Sequence, residues 1–357
     1  MSPSFWAGRQ VLLTGHTGFK GAWLTLWLLH MGAEVHGLSL DPPTQPNLFG
    51  LLGLSESMAS DMRGDIGDAD IVRKAMTHAS PEIVFHLAAQ PIVRESYDDP
   101  LRTYLTNVMG TAHVLDSARS APSVRSIVVV TTDKCYENRE WSFPYRESDP
   151  LGGHDPYSSS KACAELVAAS YRSSFFSREG SALVATARAG NVIGGGDWAA
   201  DRLIPDCVRA FLNQQPVRLR SPGAIRPWQH VLDPLAGYLL LAERLYSSGG
   251  RMFAESWNFG PDLQGDATVL EIASSTAKVW SGKVEIEAHE PAKHEAKTLR
   301  LDSTRSRTVL GWQPTWPLAR ALDETGRWYR AWSEGKDMRE FSQQQLGDYI
   351  SMAASVR

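Results

Sequence analysis

The chain has 357 residues, 43% of them hydrophobic and 21% charged, a composition that excludes disordered and fibrous classes. That length accommodates one large α/β unit with a smaller cap, or two compact domains. A formal net charge of -4 supplies no broad attraction to nucleic acid or to an anionic membrane surface, so neither is an expected partner.

Three cysteines, Cys135, Cys163 and Cys207, are odd in number and far apart, which argues against a disulfide framework or a zinc site. No metal is expected, and a reducing, cytoplasmic compartment is. The early apolar run from Ala22 to Leu29 is too short to span a bilayer. Twelve tryptophans without periodic spacing are read as packing residues.

In chain order, Gln10 to Thr14 reads as a strand, followed by a helix to about Met31 and a second strand from Glu34 to Leu38. The alternation continues with a strand at Ile83 to Leu87, a helix at Thr103 to Ala118 and a strand at Ser126 to Thr131. A helix from Pro156 and a strand at Val184 to Arg188 follow. Such alternation predicts a parallel sheet covered on both faces. The run Ile127-Val128-Val129-Val130 suits a strand in its interior. Beyond Arg188 the chain gains glycine, proline and isolated charges, and Trp257 to Gly260 reads as a late strand ending in a turn. Residues 1–187 are therefore assigned to a dinucleotide domain to which 227–262 return. Residues 188–226 and 263–330 are assigned to a substrate region, and 331–357 to a C-terminal helix or tail.

Directly after the first strand stands Gly15-His16-Thr17-Gly18-Phe19-Lys20-Gly21, opening an apolar helix. Glycines at this spacing allow a tight strand-to-helix turn and close backbone approach to a pyrophosphate at the helix N-terminus. Fold class is accordingly α/β, a Rossmann-type doubly wound parallel sheet with a smaller, interleaved C-terminal substrate-binding region. Gly15, His16, Thr17, Gly18, Phe19 and Lys20 are cofactor candidates. Asp41 is a candidate for the adenosine ribose, or a turn residue before Pro42-Pro43. No arginine follows the second strand to claim a 2′-phosphate, which favours NAD over NADP. Asp65 and Ile66 are candidates for the adenine, Leu87, Ala88 and Ala89 for the cofactor's path along the sheet, and Gln90 for the substrate.

The buried strand delivers Thr131-Thr132-Asp133-Lys134 at its C-terminal end, where open parallel sheets bind ligands. Asp155 caps the next helix and Pro156 suits its first turn, so Tyr157 and Lys161, four apart, share one face. An adjacent ammonium and an oxidised nicotinamide favour the tyrosinate.

Together the glycine loop, Thr132 and the Tyr157/Lys161 pair resemble the extended short-chain dehydrogenase/reductase family, from roughly Val11 to Asp302. The resemblance implies that Tyr157 is the acid/base, that Lys161 holds the nicotinamide ribose and that Thr132 binds the reacting oxygen. Asp133-Lys134 narrows it to the sugar-nucleotide 4,6-dehydratases, whose dTDP-glucose branch carries Asp-Glu and whose GDP-mannose branch carries Ser-Glu. Asp-Lys, with Ser39-Leu40-Asp41-Pro42-Pro43-Thr44 and Gly194-Gly195-Gly196-Asp197-Trp198, is similar to the CDP-glucose branch. It implies NAD as cofactor, CDP-glucose as substrate, Asp133 as proton donor to the departing 6-hydroxyl and a neutral Lys134 as base at carbon 5. Lys134 merely paired to Asp133 is the alternative. Family position makes Asn191 and Arg226 candidates for the diphosphate, with Arg202, Arg220 and Asp233 beside them; His230 is read as structural. A homodimer or homotetramer is expected by analogy. Competing readings are another dehydratase or a 4-epimerase of the same family, and a dinucleotide-sensing binding protein.

Overall fold

The structure is a computed structural model and describes residues 2–261, 266–287 and 298–355. Parts of the assigned 263–330 region, and residues 262 and 356–357, lie outside the described residues. Seven parallel strands form the central sheet: β1 (Gln10–Thr14), β2 (Glu34–Ser39), β3 (Ser60–Arg63), β4 (Ile83–His86), β5 (Ser126–Val130), β6 (Leu183–Ala189) and β7 (Ser256–Phe259). Their spatial order is β7-β6-β5-β4-β1-β2-β3. The direction of winding therefore reverses between β1 and β4, and the crevice outside their C-terminal ends is the ligand position such a sheet offers.

Period-two alternation in the strands divides the apolar residues between two cores. Val11, Leu13, Phe85, Val128 and Val130 enter one, while Leu12, Val84, Ile127 and Val129 enter the other. On the first face lies the helix Phe19–His30, whose Trp23 and Trp27 are fully buried. Truncating either tryptophan to alanine costs about 3–5 kcal/mol. The second face is covered by the helices Ala69–Ala79 and Gly110–Arg119, which supply Val72, Met76, Val114 and Leu115. β5 is buried along its whole length between β4 and β6.

The chain leaves the sheet after β6 and comes back to it, because β7 pairs in parallel with β6 from Ser256↔Thr186 to Phe259↔Ala189. Between and after these strands, the helices Leu203–Leu212 and Val269–Trp280 pack on a small core of Cys207, Phe211, Val217, Leu219 and Ala273. This is the cap over the strand ends. The final polar stretch forms the helix Met338–Ser355, amphipathic enough to bury Leu346 and Tyr349, with Tyr349 edge-on to Trp27.

One predicted helix differs in detail. The stretch read as Thr103 to Ala118 begins at Pro100 and contains a π-helical turn, Leu105–Met109, before Gly110. Asn107 sits in that turn, where its amide donates to Ser160 Oγ at 2.8 Å and to Gln90 O at 3.1 Å and its oxygen accepts from Gln90 N at 2.8 Å. A widened turn of this kind commonly marks a functional position.

Candidate active site

A cleft of about 960 Å³ opens at the strand ends, between the sheet and the cap. The glycine loop, the ends of β4 and β5, the start of the helix Pro156–Ser174 and the loop after β6 all line it. At the loop, Gly15 has φ +80°, and a Cβ there would stand 2.6 Å from Ala88 N. A Cβ on Gly21 would stand 2.0 Å from Gly15 O. Neither position has room for a side chain, so the turn closes tightly on itself and on the end of β4, and Gly15, Gly18 and Gly21 line the cleft where the helix Phe19–His30 begins. These features fit a dinucleotide laid across the loop.

Gly15, Thr17, Gly18, Phe19, Lys20, Asp65, Ile66, Leu87, Ala88 and Ala89 line the cleft. Three of the sequence candidates, His16, Gln90 and Asp233, do not. The His16 ring is fully buried beneath the loop, where Nε2 meets Asp61 Oδ1 at 2.8 Å and a Cβ on Gly37 would touch the ring. Burial holds its pKa down. His16 therefore props the loop from behind. Gln90 folds onto its own chain, its amide donating to Ile92 O and its oxygen accepting from Ile92 N, both at 2.9 Å. Asp41 lines the cleft with its side chain 88% exposed and pairs with Arg63 at 3.3 Å. Sequence order hid Arg63, which arrives from the end of β3 and also holds Asp61 at 2.9 Å.

At the end of β5 the predicted set converges. The Asp155 carboxylate accepts from Ser158 N at 2.8 Å and Pro156 opens the helix, so Tyr157 and Lys161 face the strand end. Lys161 Nζ donates to Val130 O at 3.1 Å, and burial pulls its pKa down to about 8. The Tyr157 phenol is pushed up to about 12 by burial, opposed by a hydrogen bond with the Thr132 hydroxyl. That hydroxyl also donates to Asp133 Oδ1 at 3.0 Å and accepts from Lys134 N at 3.3 Å. Asp133 is 1% exposed, and burial raises its pKa against the pull of Lys134, Arg226 and Lys20. A buried carboxyl with a raised pKa and a tyrosine one helical turn from a lysine are the parts of a proton-transfer centre.

Lys20 points toward this centre, 5.9 Å from the Tyr238 ring, with its pKa lowered by burial to about 8. Arg202 pairs with Asp197 at 2.8 Å and lies within electrostatic reach of Tyr157 and Lys20. Arg226 is 7% exposed, donates to Ile225 O at 2.9 Å and faces Asp133; Asn191 and Arg220 line the cleft farther out. By contrast Asp233 is committed to structure, accepting from Thr315 N at 2.6 Å and Tyr349 Oη at 2.8 Å. His230 is wholly buried with its pKa lowered to about 3 by burial. Behind Lys161, one helical turn on, Glu165 pairs with Arg188 at 2.8 Å and accepts from Thr131 and Thr186. Sequence reading passed over this pair. A charged residue inside an apolar helix face, matched by an arginine inside a buried strand, was the available signal.

Fold and centre together define an α/β dinucleotide-dependent enzyme with a tyrosine/lysine acid–base pair. The chain matches the family described as GDP-mannose 4,6 dehydratase over residues 12–325 and belongs to that family, within the extended short-chain dehydrogenase/reductases. It is 49% identical to a CDP-glucose 4,6-dehydratase of Salmonella typhimurium, over 98% of either chain. It is 31% identical to a dTDP-glucose 4,6-dehydratase of Streptomyces griseus, covering 91% of this chain and 96% of that one. A solved dTDP-glucose 4,6-dehydratase from Streptomyces venezuelae with NAD bound superposes with a TM-score of 0.77 at 26% identity, covering 91% and 98% of the two chains.

Proposed function

We propose that the protein is an NAD-dependent CDP-D-glucose 4,6-dehydratase, a hydro-lyase that makes CDP-4-keto-6-deoxy-D-glucose. The observation that carries this reading is the Asp133-Lys134 pair beside Thr132, Tyr157 and Lys161, held in the cleft of a chain 49% identical to a CDP-glucose 4,6-dehydratase. NAD, held by the glycine loop and Lys161, would supply the acceptor for the hydrogen of sugar carbon 4 and the donor of the same hydrogen at carbon 6, so the reaction is redox-neutral overall. The glycine loop cradles the pyrophosphate, and Lys161 holds the ribose and favours the Tyr157 phenolate. Tyr157 takes the proton of the 4-hydroxyl, which Thr132 orients through its own hydroxyl. Once carbon 4 is a ketone, the proton on carbon 5 is acidic and Lys134 removes it. Asp133, buried and raised in pKa, gives its proton to the leaving 6-hydroxyl, and water departs; Lys134 then returns its proton to carbon 5 as carbon 6 regains the hydride, and the proton gained by Tyr157 balances the one Asp133 gave up. Asn191, Arg202, Arg220 and Arg226 supply polar and cationic contacts for the nucleotide diphosphate along the cleft.

The same reading extends to assembly and place. Leu101, Leu105 and Met109 are exposed, as is Leu166 of the helix that carries Tyr157, against which their stretch of chain packs. Such a patch suits a homodimer, alone or paired into a tetramer. Cys135, Cys163 and Cys207 are free thiols, which suits the cytoplasm, and among the described residues no helix is long and apolar enough to cross a membrane.

Incubation of purified protein with CDP-glucose and NAD is expected to yield the 4-keto-6-deoxy sugar nucleotide without net NADH. Conversion of UDP- or dTDP-glucose with none of CDP-glucose would refute the substrate assignment and leave the reaction type standing. A 4-epimer as product would refute the dehydration.

A further inference from the structure

Across the outer mouth of the cleft, three charged side chains from separate stretches of chain meet on one oxygen. Arg220 follows the cap strand Val217–Leu219, and both its terminal nitrogens reach Asp201 Oδ1 at 3.0 Å. Arg94, in the short helix Val93–Asp98 just beyond β4, lies 3.7 Å from the same oxygen. Asp201 itself stands just ahead of the cap helix Leu203–Leu212, and all three residues line the cleft. Its neighbour Arg202 turns the other way, inward to Asp197.

Two features make this cluster an unusual surface ion pair. Both terminal nitrogens of Arg220 close on a single carboxylate oxygen, and Arg94 stands 3.7 Å from it, beyond hydrogen-bond reach, whereas the several non-bridging oxygens of a diphosphate can engage both guanidinium groups. Asp201 also adopts a left-handed backbone, φ +61°, which a non-glycine residue rarely holds without a local reason. Each side chain is about a third exposed, Asp201 at 36%, Arg94 at 35% and Arg220 at 26%, so the solvated ion pairs are weak and are given up at little cost. The diphosphate bridge of a nucleotide sugar carries two negative charges, one on each phosphoryl group, and competes for the same nitrogens with twice the charge of the carboxylate.

We propose that Arg94 and Arg220 form an anion clamp for the diphosphate of the nucleotide sugar, and that Asp201 is an internal carboxylate that fills the clamp until the substrate displaces it. This rests on the nucleotide-sugar reading above and adds to it Arg94 as a ligand from the dinucleotide half and Asp201 as a competitor. The clamp joins the two halves of the molecule, so binding of a diphosphate replaces one bridge between them by another. Because the competitor is an anion, the clamp discriminates by phosphate charge and not by base: a nucleoside gains nothing from it.

The test is calorimetric titration of the NAD-loaded protein with CDP and with cytidine. Asp201→Asn keeps the shape and tolerates a left-handed backbone, and Asp201→Gly removes both the charge and the backbone strain. Either change is expected to tighten CDP binding about tenfold, equivalent to about 1.4 kcal/mol, with cytidine unaffected. Arg220→Gln and Arg94→Gln are expected to weaken CDP binding about tenfold, and in the Arg220→Gln background the gain from Asp201→Asn should vanish. CDP binding that is unchanged or weaker in both Asp201 variants overturns the competitor. Binding that survives either arginine substitution at full strength overturns the clamp. If the wild-type protein ignores CDP and binds UDP, dTDP or GDP, the cytosine assignment falls and the same comparison is made with the diphosphate that binds. If none of the four binds, the clamp falls too.

Discussion

Replacement of Asp133 by asparagine separates the elimination from the oxidation that precedes it. The carboxamide has the same size as the carboxyl, and its oxygen still accepts the 3.0 Å bond from the Thr132 hydroxyl, so Tyr157, Thr132 and Lys161 keep their places. What is lost is a proton donor. Removal of a positioned general acid slows a step by about 10²- to 10⁴-fold, an increase in barrier of about 3–5 kcal/mol. Tyr157 does not depend on Asp133 for oxidation of carbon 4, so mixing substrate with the Asp133→Asn enzyme should build up bound reduced nicotinamide, visible by its near-ultraviolet absorbance, before slow release of product. The pH dependence gives an independent reading. Burial raises the pKa of Asp133, so its active acid form is present below that pKa and is lost as pH rises through it. The wild-type rate should therefore fall on the alkaline side of the Asp133 titration, and that limb should be absent in Asp133→Asn. An Asp133→Asn enzyme with wild-type kcat and no accumulated reduced cofactor would show that Asp133 is not the acid.

Lys134→Ala should abolish exchange of the carbon 5 hydrogen with solvent, by about 10²-fold or more, while reduction of bound cofactor continues; solvent-deuterium incorporation followed by mass spectrometry reads this directly, and normal exchange excludes Lys134 as the base. Gly21→Ala places a Cβ 2.0 Å from Gly15 O and must move the loop, so equilibrium dialysis should find NAD affinity reduced about tenfold or more. Glu165→Gln leaves Arg188, 2% exposed, without its counter-ion and should cost about 3–5 kcal/mol in urea unfolding. The double variant Glu165→Leu/Arg188→Met should recover most of that loss. Arg188 and its neighbouring hydroxyls depress the Glu165 pKa, so its contribution to stability is present above the ordinary carboxylate pKa and is lost as pH falls through the lowered value.

The sheet was legible because each strand announces itself locally. Gln10 to Thr14 and the all-apolar run of β5 are buried strands in sequence and in space, and Asp155-Pro156 marks the start of a helix without any tertiary information. The convergence of Thr132 and Tyr157 on one strand end was legible for a related reason: both sit at element ends, where a strand terminus or a cap fixes direction. Side-chain direction within a loop is another matter. His16 and Thr17 are adjacent in the glycine motif, yet Thr17 lines the cleft and His16 turns under it to Asp61. Gln90 follows three residues that line the cleft but closes on Ile92. Contacts between distant segments were beyond reach as well. Arg63 beside Asp41, Glu165 with Arg188, and Arg94 with Asp201 each require knowing which strand or helix lies next to which. The π turn at Asn107 depends on bonds to Gln90 and Ser160 from two other elements, and no period in the sequence encodes it.

The electrostatics of the centre become coherent once the substrate is counted among the charges. Asp133 is the buried acid facing Lys20, Lys134 and Arg226, and even so burial outweighs these cations and raises its pKa. Burial and like charge meanwhile bring Lys20 down to about 8, so the cationic wall itself is held charged at a cost. A diphosphate entering this wall acts on both groups in the useful direction. Its negative charge favours the protonated forms of Lys20 and of Asp133, stabilising the cations that bind it and the acid that elimination needs. The same charge opposes phenolate formation at Tyr157 and loss of a proton from Lys134, while Lys161, one helical turn from Tyr157, has its Nζ fixed on Val130 O at 3.1 Å. Proton donor and proton acceptor thus require opposite local fields within one cleft. The fold sets Asp133, buried and raised in pKa, at the strand end, and Tyr157 one helical turn from Lys161 on the facing helix.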